Sequence, residues 1–232
     1  MILINPREAG GWTMATGAVF QEAQIKPFID SAITAGLGTV LAIGVGVTAA
    51  LALSRLKFGG SFLPMFILSA RMFPPVVVVI PLLILYAFLG LIDTYLGLIL
   101  AYGTFTSPYS VWMIRSFIED VPRELEDAAM VDGLSRLGTY FKVTVPLIKG
   151  GIAATALFLL ILNWSEFLFA LTLTHGEVTT IPVAVARAAT STGRVLGVQS
   201  ALGVTAIIPI LVFSYVIQRY LVRGLTFGAV KR

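Results

Sequence analysis

Long stretches without a single charge constrain this chain more than any other feature. A helix crossing hydrocarbon needs about 20 mostly apolar residues. Five runs reach that scale: 31–54, 72–92, 94–114, 150 to about 174 with Glu166 as its one charge, and 195–218. Charged residues make up 12% of the chain, about half of what covers the water-facing surface of an average globular domain. The reading is an all-α membrane protein, a polytopic bundle of about five transmembrane helices. Glycines 36, 38, 44 and 46 in the first run would let it pack tightly against another helix.

The second run has two readings. Its helix either begins near Ser61 and carries Arg71 inward, or residues 61–71 lie at the interface and the span starts at Met72. Pro74 and Pro75 should kink it, because each removes a backbone donor and clashes with the preceding turn; Pro81 should add a second interruption.

Orientation follows from the basic residues. With the C-terminus cytoplasmic, the inner segments hold Arg55, Lys57, Arg115, Arg123, Arg136, Lys142, Lys149, Arg219, Arg223, Lys231 and Arg232. The outer segments hold Arg7, Lys26, Arg187 and Arg194, with Arg71 unassigned. Eleven against four satisfies the positive-inside rule. Five spans then put the N-terminus outside, with residues 1–30 extracytoplasmic and 31–232 forming the membrane domain. Pro6, Arg7, Glu8 and the Gly10-Gly11 pair break up any signal-peptide core. An outside N-terminus without a signal is awkward to insert, so the expectation is that a preceding span is missing.

Residues 115–149 contradict the apolar pattern, with five basic and six acidic residues between two spans. Pro122 suits a first helical turn. Glu124, Glu126 and Asp127 crowd that turn, where the macrodipole favours negative charge. Gly133 suits a C-terminal stop. Leu125, Ala128 and Ala129 fall on one small apolar face, and residues 134–143 read as a second short helix before Pro146. Helices that rest on lipid carry mostly Lys and Arg on their polar face, whereas residues 119–132 hold six acids and one Arg. A narrow alanine face flanked by acids fits a groove on a partner protein better.

Here the residues resemble a family. Asp127-Ala128-Ala129, three residues, Gly133, nine residues, then Val143-Thr144-Val145-Pro146 resembles the EAA signature of ABC importer permeases (E-A-A-x3-G-x9-I-x-L-P). It departs by Asp for Glu at 127, Val for Ile at 143 and Val for Leu at 145. The tail at 223–231 is similar to that of maltose-type sugar permeases, specifically the shorter partner of the permease pair. Residues 71–75 and 163–167 resemble stretches usual in that subfamily. The family core has six spans, and the first would be absent here.

The resemblance implies a subunit that passes a sugar or sugar-like solute from an extracytoplasmic binding protein into the cytoplasm of a bacterium or archaeon. It implies a second, homologous permease and a two-subunit or homodimeric ATPase. Glu124, Asp127, Ala128, Ala129, Gly133 and Pro146 would form the coupling segment that sits in a cleft on that ATPase. ATP and Mg would be bound there, since this chain has no GxxxxGK[ST] phosphate loop. Trp164, Glu166, Phe167 and Arg71 are the candidates for the substrate pathway, Glu166 because an ionisable group in a span is functional by default. The outer loop at 174–194 would reach towards the binding protein.

Alternatives remain open at this point. A permease for amino acids, polyamines or phosphate is the nearest. A secondary transporter would want inverted repeats and paired ionisable residues deep in the spans. No Cys and a single His, His175, leave no constellation for a membrane enzyme or a metal centre, and nothing suggests nucleic acid.

Overall fold

The computed structural model describes residues 22–188 and 202–215, and their regular structure is entirely helical. Helix α1 spans Glu22–Arg55, α2 Phe62–Ser69, α3 Pro75–Leu89 and α4 Tyr95–Glu119. The charged segment follows as α5 (Arg123–Val131), α6 (Arg136–Thr139), a π-helical turn (Tyr140–Thr144) and α7 (Val145–Leu147). Then come α8 (Lys149–Trp164), α9 (Leu168–Leu173), α10 (Ile181–Ala188) and α11 (Leu202–Tyr215). The expected tail at 223–231, the end of the outer loop and residues 1–21 lie outside the described residues.

The centre of the bundle is α1 packed along α4, with α8 against both. Ala35, Ala42 and Ala50 form a fully buried stripe on α1. Leu98, Tyr102, Ile114 and Ile118 of α4 meet that side of the bundle, and Leu159 of α8 is buried as well. Small residues allow close backbone approach where no hydrophobic force drives helices together in lipid. Asn163 Nδ2 of α8 donates to Thr39 Oγ1 of α1 (3.1 Å), a polar tie inside the bundle.

Among the described residues, Ile25–Arg55 alone is a single helix long and apolar enough to cross a membrane. Two bent pairs pass the same test when each counts as one span. Helix α4 has the length, at 25 residues, but Thr104, Thr106, Ser107 and Ser110 dilute its middle. Thr106 and Ser110 are buried in the bundle rather than shown to lipid. Helix α1 starts nine residues ahead of the expected position 31, so residues 22–30 run into the first span without a break.

The prolines act unequally. Phe73 and Pro74 take up extended backbone, and the helical segments on either side meet at 90°. Residues 62–72 thus form a helical unit of their own, and the next helix starts at Pro75 rather than at Ser61 or Met72. Pro81, expected to interrupt, lies inside a continuous α3; only the bond to the Val77 carbonyl is forgone. The fourth run is broken at 165–167 between α8 and α9.

At the end of the bundle away from the charged segment, two carboxylates pin the chain after α9. Asp30 is fully buried, pairs with Lys26 (2.9 Å), and accepts from Tyr95 Oη (2.7 Å) and the Thr179 amide (2.8 Å). Lys26 also donates to the Glu177 carbonyl. Asp93, in the α3–α4 connection, accepts from the amides of Glu177 (3.0 Å) and Val178 (3.1 Å), while its own amide donates to the Leu173 carbonyl (2.8 Å). Partial burial pushes the Asp93 carboxyl up, but the backbone N–H groups of Glu177, Val178, His175 and Gly176 outweigh it and hold its pKa below the ordinary 3.8. A depressed folded pKa gives stability that is complete above the unfolded value, near 4, and is lost as pH falls through the folded value. Thermal unfolding in detergent should therefore weaken on acidification below about pH 4. The Asp93→Asn variant should lose part of that dependence, and an unchanged acid profile would contradict the assignment.

Candidate coupling site

The charged segment leaves the bundle between α4 and α8 and returns to it, and each turn has a local cause. Pro122 sits at the N-cap of α5 with extended backbone (φ −58°, ψ 133°), one position before the first turn, where it had been expected. Glu124 and Glu126 follow in that first turn. Past the C-terminus of α5, Gly133 takes the left-handed conformation (φ +93°). The Leu134 amide donates to the Ala129 carbonyl (3.1 Å) and the Gly133 amide to the Met130 carbonyl (3.1 Å). That paired pattern closes a helix on a left-handed residue. Ser135 then caps α6, its Oγ accepting from the Gly138 amide (3.1 Å).

The second helix therefore starts at Arg136 rather than 134 and continues past 143. It does so through the π-helical turn, where the Val145 amide reaches the Tyr140 carbonyl. Pro146 accounts for this: with no N–H and a ring that crowds the carbonyl four residues back, it disfavours α register in the turn before it. The chain bends by 72° at Ile148 and enters α8.

The segment presents a definite outer face. Glu124, Asp127 and Ala128 are exposed, Ala129 is half-buried, and Gly133 and Pro146 are exposed. Leu125 and Met130 join them at the surface, and Val131 is 87% exposed. Residues 124–133 are thus brought together around one knob, with Pro146 apart from it on the return path.

Glu126 stands in the first turn as expected, while Asp127 falls beyond it. Glu126 faces the other way from the outer face and is 6% exposed, which the sequence did not mark. Its Oε1 accepts from Arg55 Nε (2.9 Å) and Thr144 Oγ1 (2.8 Å). Arg55, counted only as a basic residue beyond the first span, is its partner. No pattern links two residues 71 positions apart; a lone acid among surface acids carries no mark of burial.

The four substrate-pathway candidates do not converge. Trp164 is 5% exposed and its Nε1 donates to the Ala206 carbonyl of α11 (3.1 Å). Glu166 turns back to cap α9, accepting from the amides of Phe169 (3.1 Å) and Ala170 (3.2 Å). Phe167 points outward, 39% exposed. Arg71 stacks its guanidinium over the rings of Phe105 (3.9 Å) and Tyr109 (4.3 Å) and donates to the Phe105 carbonyl (2.9 Å). Of the four, Arg71 alone lines a mostly apolar cavity of about 330 Å³, with Phe73, Tyr86, Phe105 and Phe169 among its walls.

The described residues form a helical bundle from which a polar helix–turn–helix projects between two bundle helices. It superposes on a bacterial ABC transporter involved in the import of the acidic polysaccharide alginate with a TM-score of 0.71, at 24% identity, over 89% of this chain and 78% of that one. The chain belongs to the family described as binding-protein-dependent transport system inner membrane component, whose model matches residues 42–227. Similar proteins include the trehalose transport system permease protein SugB of Mycobacterium tuberculosis, 37% identical over 93% of this chain and 78% of its own length. Another is the trehalose/maltose transport system permease protein MalG of Thermococcus litoralis, 36% identical over 87% of this chain and 74% of its own length. The protein is a membrane-embedded permease component.

Proposed function

We propose that the chain is the translocation subunit of an ATP-driven importer for a sugar or sugar-like solute. The observation that carries this reading is the exposed knob at 124–133, projecting between α4 and α8 in a member of this family. In the proposal the knob lies on the cytoplasmic side, as does the C-terminus, and docks in a cleft of a separate ATPase, which binds ATP and Mg. Asp127 and Glu124 offer charge to basic groups there, Ala128 and Ala129 permit close approach, and Gly133 sets the turn. A second, homologous permease completes the pathway, and an external binding protein delivers the solute to the end pinned by Asp30 and Asp93. The sugar class is supported by the names of the two relatives above. Arg71, on the apolar cavity, is the candidate of the four best placed to meet a passing solute.

The test is affinity purification of the chain from its native membranes in mild detergent, followed by mass spectrometry. A phosphate-loop ATPase and a second permease should come with it, together with a binding protein whose ligand defines the solute. Recovery of this chain alone, transporting without ATP, would overturn the reading.

A further inference from the structure

We infer that Arg55 and Glu126 form the joint through which movement of the coupling segment reaches the membrane helices. The inference rests on the coupling reading above and adds positioning residues to it. Arg55 is the last residue of α1. Its Nε donates to Glu126 Oε1 of α5 (2.9 Å), and its Nη2 donates to the carbonyls of Ile118 (2.8 Å) in the last turn of α4 and Val121 (2.9 Å) just past it. Thr144 Oγ1, in the π-helical turn, donates to the same Glu126 oxygen (2.8 Å). Four segments thus meet on one guanidinium–carboxylate pair whose side chains are 6% and 7% exposed.

Two further ion pairs, Lys26–Asp30 and Arg115–Glu119, each lie within one helix. Arg55–Glu126 instead joins two helices. Burying such a pair is a poor route to stability, because apolar residues of the same volume generally serve as well or better. What the pair supplies is direction. A planar guanidinium holds its partners in a fixed fork, so α5 cannot shift without drawing on the ends of α1 and α4 together. Those two helices pack along each other through the bundle centre. Arg123, Asp127 and Arg136 line the small cavity that Arg55 and Glu126 share, and Lys57, Arg115, Glu119 and Glu124 line a larger one that Arg55 also borders. The docking face, Asp127 and Ala128, stays on the outside, so attachment to the ATPase and transmission from it fall to different residues.

The two can be separated with the Arg55→Met/Glu126→Leu double variant, which removes both charges and leaves none buried alone. It is reconstituted with its partner subunits in proteoliposomes, and ATPase recovery, ATP hydrolysis and solute uptake are measured together. The ATPase should still be recovered and hydrolyse ATP, while solute moved per ATP should fall about tenfold, the scale of an ordinary coupling free energy. Unchanged solute per ATP would reduce the pair to packing and overturn the inference. Loss of the ATPase from the double variant would also overturn it, by assigning the pair to attachment. Failure of the wild-type chain to recover any ATPase would instead overturn the coupling reading itself.

Should the double variant not accumulate, the absence of Cys from the chain offers a second route. With Arg55→Cys and Glu126→Cys, a short bis-methanethiosulfonate crosslinker, which forms a disulfide with each thiol and releases methanesulfinate, should restore solute per ATP, and reduction should abolish it again. No response to crosslinking would reject the joint.

Discussion

Replacing Gly133 with valine should abolish solute uptake while the chain still reaches the membrane in normal amount. Gly133 sits at φ +93° directly after α5. A side chain in the left-handed region costs about 1–2 kcal/mol, and more when it is β-branched. Space is not the obstacle, because a Cβ there would meet nothing within 4 Å. The strain is relieved by giving up the left-handed turn, which breaks the bonds from Gly133 to Met130 and from Leu134 to Ala129. Helix α6 would then leave α5 in another direction, and the knob that carries Glu124, Asp127 and Ala128 would lose its shape. The bundle has no share in this turn, so insertion and abundance should be unaffected. Asn tolerates the left-handed region far better than valine, so the Gly133→Asn variant should retain measurable uptake. Uptake by whole cells, normalised to chain in the membrane fraction, reads the series. Wild-type uptake by the Gly133→Val variant would remove the turn from the coupling machinery.

Gly133 was legible in the sequence because a helix stop is a local property: acids in a first turn, a short apolar face, then the one residue that closes a helix in the left-handed conformation. The break at Pro74 and the start of α4 were legible for the same reason, whereas α4 runs on to Glu119, past the expected end at 114. The double role of residues 124–129 was not. Periodicity marks Leu125, Ala128 and Ala129 as one face but cannot say which way that face looks: Leu125 and Ala128 are exposed, Ala129 is half-buried, and it is the acid Glu126 that turns inward. Glu126 becomes recognisable only when Arg55 and Thr144 are brought beside it. Glu166 shows the same limit from the other side. An acid in an apolar run suggests solute chemistry, yet its oxygens are taken up by the amides of Phe169 and Ala170 at the start of α9. The break between α8 and α9 that creates those free amides was itself unmarked, because 150–174 contains neither proline nor a late glycine to announce it.

Adding a single methyl group at Gly46 should destabilise the bundle by about 2–3 kcal/mol, the cost of overpacking a tight contact. A Cβ at Gly46 would lie 2.6 Å from Ser110 Cβ and 3.0 Å from the Ser110 carbonyl carbon. Neither atom is the end of a flexible chain, so α1 and α4 would have to move apart. The four glycines of the first run are not equivalent in this respect. Gly38 faces Tyr102 Cβ at 2.9 Å, whereas a Cβ at Gly36 or Gly44 would meet nothing within 4 Å. The Gly44→Ala variant should therefore stay within about 0.5 kcal/mol of wild type. Sequence spacing could name all four as packing residues; only the crossing of α1 over α4 selects Gly38 and Gly46. The partner atoms also supply the control. The Ser110→Gly change removes both the hydroxyl and the Cβ that the new methyl would strike, leaving a contact that a shift of a few tenths of an ångström relieves. In a double-mutant cycle read by thermal unfolding in detergent, Gly46→Ala and Ser110→Gly should couple by more than about 1 kcal/mol, each change offsetting the other. Simple additivity would mean that the helices do not cross at this pair, and the close packing of α1 on α4 would have to be centred elsewhere.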